Sequence, residues 1–253
     1  MSQDLQQAQW SFMGNPEIAV HFLRTLEEQY NLRPRQVICN TDRPVGRKQL
    51  LTPPPAKQYA QAQGIPVVQG LDNQELSESI AGDDFVCVFA YGHKIDAAVL
   101  ENPARGFVNI HPSLLPQYRG ASPITAAILD DAKQTGISII RLVDKMDAGP
   151  IIAQEEWIID EWKKYYLLEE AAAVRAAHLF AKSMGPYLAG ESEIVYQDDN
   201  QASYSKRYTK ADMQILSATY PYMQYRQYCA FSKPFIISQG KRYIVTNAGY
   251  NQT

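Results

Sequence analysis

Cysteine and histidine are scarce in this sequence of 253 residues, with three and four copies. Cys39, Cys87 and Cys229 lie far apart, so none forms a short-spaced metal-ligand pair. Cys39 and Cys87 fall in apolar, strand-like runs, and the reading for all three is free buried thiols in a reducing cytoplasm. No stretch approaches the roughly 20 apolar residues that cross a bilayer. The opening residues, Met1 to Trp10, have neither the basic start nor the apolar run of a secretion signal. A cytoplasmic protein without membrane contact is therefore expected. Phe12-Met13-Gly14-Asn15-Pro16 lacks the second and third glycines of a dinucleotide fingerprint. Neither a P-loop nor a Gly-x-Ser-x-Gly elbow occurs. These absences remove the commonest nucleotide, metal and hydrolase chemistries.

Excess charge is small overall, at −3, but unevenly placed. From Ser205 onward there are seven Lys or Arg against Asp212 alone, whereas the preceding part holds 17 basic and 26 acidic residues. Such asymmetry suits either an anionic partner for the tail or simple solvation by lysines.

What is present in the first two hundred residues is an alternation of strand-like and helix-like runs, the pattern of a parallel α/β sheet. Trp10–Met13, Gln36–Cys39, Pro66–Val68, Phe85–Phe89, Gly106–His111, Gly136–Leu142 and Pro150–Ile159 read as strands. Phe85–Phe89 is the most apolar and is expected at the centre, buried on both faces. Asn15 followed by Pro16 reads as a helix N-cap, and Ala19, Phe22, Leu23, Leu26 and Tyr30 recur at helical spacing. Lys57–Gln63 is a further helix closed by Gly64, and Asp72 or Asn73 caps another. A long helix is expected over Leu167–Met184, with Ala171, Val174, His178 and Phe180 inward. Asn40 to Pro55 reads as a polar, proline-rich loop. The character changes after Tyr204: a helix over Tyr220–Ala230 precedes a hairpin turning at Gln239-Gly240. A catalytic domain over 1–205 and a short basic segment over 206–253 follow. A lone hairpin is marginal in water, so this one must dock on the main domain or a partner.

Asn109 and His111 stand two apart on a strand, so both side chains project from one face. They lie near the carboxyl end, where open α/β sheets hold their ligand sites. The loop that follows contains Pro112, Pro116, Gly120 and Pro123, a stiff backbone suited to preorganised hydrogen-bond donors. A neutral His can take a proton near neutral pH, and an Asn amide can donate to a developing oxyanion. Asp147 sits in a loop between strands beside a permissive Gly149. A carboxylate reaching the imidazole would fix its tautomer and favour its charged form. His93, after the central strand, suits either ligand contact or an exposed loop; His21 and His178 suit helix packing or surface roles.

Asn109-Ile110-His111-Pro112-Ser113-Leu114-Leu115-Pro116, then Tyr118-Arg119-Gly120 and Pro123-Ile124, resemble the signature of formyltransferases that use 10-formyltetrahydrofolate. Asp147-Ala148-Gly149-Pro150 is similar to their downstream aspartate loop. The resemblance covers approximately Trp10 to Ala211. It implies a Rossmann-like, mostly parallel open sheet with helices on both faces. Asn109, His111 and Asp147 would then be catalytic, with no metal required. By the same resemblance, folate would lie along Phe89, Ala90, Tyr91 and Gly92 and the loop before Asp147, with Ser113, Leu114, Leu115 and Pro116 walling the formyl end. The flanking segments resemble the branch that acts on methionyl-initiator tRNA. Phe12 to Glu17 is similar to its opening, and Thr41 to Arg47, continuing through Pro53-Pro54-Pro55-Ala56-Lys57, to its acceptor-end loop. Arg43, Gly46, Arg47 and Lys48 would contact tRNA there. Sugar-nucleotide N-formyltransferases share the trio and form the alternative. The segment Glu161 to Tyr166 departs from the family's usual acidic–threonine helix start. By that resemblance, a short helix and hairpin are expected in place of the tRNA branch's full β-barrel. A monomer is expected.

Overall fold

The computed structural model describes residues 3–46, 48–159, 164–216 and 219–249. Arg47, expected to contact tRNA, lies outside them, as do Glu161, Trp162 and Lys163 of the departing segment. The first half runs α1 (Gln3–Gln7), β1 (Trp10–Gly14), α2 (Glu17–Tyr30), β2 (Gln36–Cys39), β3 (Arg43–Val45), β4 (Leu50–Thr52), α3 (Pro55–Ala62), β5 (Val67–Gln69) and α4 (Asn73–Ser79). It continues with β6 (Phe85–Phe89), α5 (Ala97–Leu100), β7 (Phe107–His111), β8 (Arg119–Gly120), α6 (Pro123–Leu129), β9 (Gln134–Arg141), β10 (Ile151–Ile158) and α7 (Tyr165–Ala189). The remainder is β11 (Tyr204–Ser205), α8 (Pro221–Ala230), β12 (Phe235–Ser238) and β13 (Lys241–Ile244).

The main sheet has the order β10-β9-β7-β6-β1-β2-β5. Pairs from β7 through β5 are parallel, and β9 and β10 add antiparallel neighbours at one side. The apolar run of β6 occupies the middle place and is buried throughout, as expected. Its residues alternate between two cores: Phe85, Cys87 and Phe89 face one, Val86 and Val88 the other. The first core carries α2, α6 and α7, and the second α4 and α5, so helices cover both faces. Trp10 stacks on Phe85 at 5.7 Å, and Phe180 of α7 meets Phe22, Phe85 and Trp10, fastening α2 and α7 to the strands.

Several expectations change here. Asn15 does not cap α2; Pro16 occupies the cap position, without a side-chain bond. The Asn15 amide instead donates to Tyr91 O and accepts from Asn40 N at 2.7 Å, tying the ends of β1, β2 and β6 together. An amide has both a donor and an acceptor, and strand ends here supply partners for both. Ala171 is exposed because α7 turns its buried stripe through Ala172, Ala173, Ala176, Ala177 and Phe180. His178 is half-buried and bonds to the Tyr30 hydroxyl at 2.6 Å, a packing role. The stretch read as a loop contains the β3–β4 hairpin. Asp72 caps α4 in a reciprocal box with Glu75.

The tail lies against α6. Arg226 donates to Leu129 O at 2.8 Å, and the Lys164 ammonium sits 3.5 Å from the Tyr228 ring and donates to Tyr228 O and Phe231 O. The terminal hairpin docks through buried Phe235, whose carbonyl accepts from Ile215 N at 2.8 Å. Gln239 and Gly240 both have positive φ, 47° and 71°, as a tight two-residue hairpin turn requires.

Candidate active site

Parity along β7 sends Asn109 and His111 to one side at the carboxyl end of the sheet. Opposite them, the chain between β9 and β10 turns at Asp147, which adopts φ 48°. Asn109 Nδ2 lies 3.5 Å from Asp147 Oδ1, and His111 Nδ1 lies 3.7 Å from Asp147 Oδ2. The three side chains therefore converge. His111 and Asp147 are nearly buried, so the pair sits in a weakly screening environment.

The imidazole is oriented from its far side. His111 Nε2 is 2.9 Å from Tyr118 O, and a carbonyl only accepts, so Nε2 carries a proton. Nδ1 is thus the position facing the site. The tautomer expected from Asp147 is set instead by this backbone carbonyl, because the loop after β7 curls back over the ring. That loop is held by Ser138, fully buried on β9 opposite His111. Its hydroxyl donates to Ser113 O at 2.7 Å and accepts from Leu115 N at 3.0 Å, while Gln154 adds a bond to Leu115 O at 3.0 Å. Burial, then Asp130, pushes the Tyr118 phenol up to about 12.

Asp147 is held at both ends. Gly120 N donates to Oδ2 at 2.7 Å, and the Gln197 amide donates to Asp147 O at 2.8 Å and Gly149 O at 2.7 Å. Gly149 is required for a reason other than the freedom expected of it. A Cβ there would stand 1.7 Å from Arg141 O, so close approach of two backbones excludes any side chain. The left-handed residue is Asp147 itself, a conformation that Asp tolerates better than most.

Of the segments assigned to folate, Ala90 (φ 55°) and Gly92 (φ 82°) turn the chain immediately after β6. Phe89 is buried against Phe22, leaving only its main chain for a ligand. Tyr91 is half-buried, with its ring 5.7 Å from His93. Ser113 donates its buried hydroxyl to Gln117 O, Leu115 packs on Ile140 and Ile151, and Leu114 and Pro116 are half-buried. Arg43, Gly46 and Lys48 lie on the exposed β3–β4 hairpin with Val45, Leu50 and Leu51. Arg43 Nη2 is 3.3 Å from His93 Nε2, linking the hairpin base to the loop after β6.

Ser138, Gln154 and Gln197 went unmarked in the sequence. A serine inside the apolar Gly136–Leu142 run was the one available signal; Gln197 lies in a polar stretch that offers none.

The profile of the family described as formyl transferase matches residues 12–180, from β1 into α7. The chain belongs to that family. Among formyl transferases, a methionyl-tRNA formyltransferase from Halalkalibacterium halodurans is 38% identical over 209 residues, covering 81% of this chain. This chain spans 65% of that relative's length. In structure, a 4-N formyltransferase from Francisella tularensis superimposes with a TM-score of 0.72 over 98% of this chain and 100% of that one, at 16% identity. An N-formyltransferase from Helicobacter canadensis, solved with folinic acid and dTDP-3-aminofucose, gives 0.67 over 89% and 81%, at 20% identity. The likeness to both establishes the fold shared with solved formyl transferases. No helix among the described residues is long and apolar enough to cross a membrane.

Proposed function

We propose that this chain transfers the formyl group of 10-formyltetrahydrofolate to the α-amine of methionyl-initiator tRNA, acting in the cytoplasm as a monomer. The observation that carries the chemistry is the convergence of Asn109, His111 and Asp147. The amine nitrogen bonds to the formyl carbon, giving a tetrahedral species whose oxygen carries the negative charge. The bond to N10 then breaks, and N10 takes up a proton as the amine loses one. Asn109 Nδ2 donates to the oxyanion. His111, with Nε2–H occupied by Tyr118 O, presents Nδ1 and, when doubly protonated, donates there as well. Asp147, 3.7 Å from Nδ1 of the ring that Tyr118 O orients, assists proton transfer from the amine. Removing one oxyanion donor costs roughly 3–4 kcal/mol in comparable sites. Accordingly, Asn109→Ala, His111→Ala and Asp147→Ala leave folding intact and lower turnover at least about a hundredfold. Near-normal turnover by purified His111→Ala protein would overturn the assignment.

Folate lies along Phe89 to Gly92 and against Ser113 to Pro116. Main-chain groups at the Ala90–Gly92 turn can read a flat polar edge, and the apolar wall excludes water. Arg43, Gly46, Arg47 and Lys48 engage the acceptor end, and the basic segment 206–253 adds positive charge for the tRNA. The 38% identity to a methionyl-tRNA formyltransferase favours this acceptor. A sugar-nucleotide N-formyltransferase is the second reading, suggested by the fold shared with the Helicobacter canadensis N-formyltransferase solved with dTDP-3-aminofucose. Incubation with 10-formyltetrahydrofolate and either charged initiator tRNA or amino-sugar nucleotides separates them. Formylation of the sugar alone overturns the tRNA reading.

A further inference from the structure

Arg119 is fully buried, and its guanidinium is bonded to residues outside the trio. Its guanidinium donates through Nε (3.0 Å) and Nη2 (2.8 Å) to one atom, Gln197 Oε1. Nη1 donates to Asp199 Oδ1 at 2.7 Å, and Asp199 also accepts from Lys145. With its oxygen occupied in this way, the Gln197 amide can turn only one face to the aspartate loop. Both of its hydrogens are used there, on Asp147 O and Gly149 O. An amide has two donor hydrogens and one acceptor oxygen, and each is engaged. The peptide following Arg119 supplies the other restraint, since Gly120 N donates to Asp147 Oδ2. Arg119 therefore governs Asp147 twice, through its side chain by way of Gln197 and through its own main chain.

We propose that Arg119 and Gln197 are positioning residues, a buried guanidinium-to-amide relay that holds Asp147 in the left-handed conformation from which its carboxylate reaches Asn109 and His111. A left-handed turn at a non-glycine residue is disfavoured in isolation. The two bonds from Gln197 end on carbonyls 147 and 149, the first belonging to Asp147 itself, and fix the chain as it leaves the turn. The relay rests on the reading of Asp147 as part of the reacting centre, and its test separates the two.

The test uses Gln197→Met, which keeps length and removes all four bonds, and Gln197→Glu, which keeps the contact to Arg119 but lacks the donors. Two readouts are combined on the full chain. The first is the backbone amide of Gly120 by NMR, whose shift and hydrogen exchange report the carboxylate at Oδ2 without any turnover. The second is steady-state formyl transfer from 10-formyltetrahydrofolate to charged initiator tRNA. Both variants are expected to move the Gly120 amide towards its position in Asp147→Asn. They are expected to lower kcat at least about thirtyfold, with the folate KM changed less than about threefold, as for a lost transition-state interaction. Combining Gln197→Met with Asp147→Asn should add little further loss, because both act through one carboxylate. A folded variant with an unmoved Gly120 amide and an unchanged kcat overturns the relay. Full activity in Asp147→Asn overturns the catalytic reading beneath it, while the Gly120 amide still decides whether the relay holds the loop. If Gln197→Met does not fold, the near-isosteric Gln197→Glu carries the same readouts.

Discussion

Gly149 illustrates how a single hydrogen in place of a side chain shapes the site. Alanine there would drive Cβ into the carbonyl of Arg141, a contact of main chain with main chain that no rotamer relieves. Gly82 has a positive φ of 86° but open space around it, so alanine at that position carries only the conformational cost, about 1–2 kcal/mol. Thermal melting should therefore show a much larger loss for Gly149→Ala than for Gly82→Ala, and equal losses would contradict the close approach. The same scale explains what could be read in advance. Asn109 and His111 were legible because strand parity alone puts them together, and Asp147 because its loop motif is distinctive. Tyr118 O and Gln197 were not, since a carbonyl has no letter of its own and a polar residue in a polar stretch has no period, and Ser138 showed only as a serine inside an apolar run.

Among the elements, strands buried on both faces were recovered almost to the residue, as apolar runs bounded by turns leave few alternatives. The β3–β4 hairpin was missed because it has no buried face and hence no alternation, and Pro44 lies within it. Helix α7 shows the opposite imbalance. Its amino end carries Glu169, whose carboxyl is raised by burial against the opposing hydrogen bond of Tyr165 and the charge of His21, with Glu17 raising it further. The folded chain thus binds more protons than the unfolded one just above the usual carboxylate range. That contribution is complete below the unfolded value and is lost as pH rises through the folded value. Relative to the parent, Glu169→Gln should gain melting temperature as pH rises above the usual carboxylate range. A difference that does not change with pH would count against the burial effect. At the tail, Phe235→Ala should free the hairpin while leaving the sheet intact. Hydrogen exchange confined to residues near β12 and β13 would report it, because Phe235 is the buried anchor of that pair.

On the scale of the whole molecule, the basic excess after Ser205 remains largely available. Lys206 is tied to Asp212 and Arg242 lies over the Phe235 ring, while Lys233 and Lys241 are exposed. If the tail contacts phosphates, Lys233→Glu with Lys241→Glu should lower the salt slope of tRNA binding by nearly 2 and leave folate affinity unchanged. An unaltered slope would remove the tail from the interface. The family profile ends at residue 180, inside α7, but the aspartate loop depends on Gln197, and the loop after β7 on Ser203 and Ser205. During synthesis the sheet strands and the side chains of Asn109, His111 and Asp147 emerge before those supports do. The chain would therefore acquire its fold first and its competence last, so a nascent protein arrested after α7 should be compact and inert.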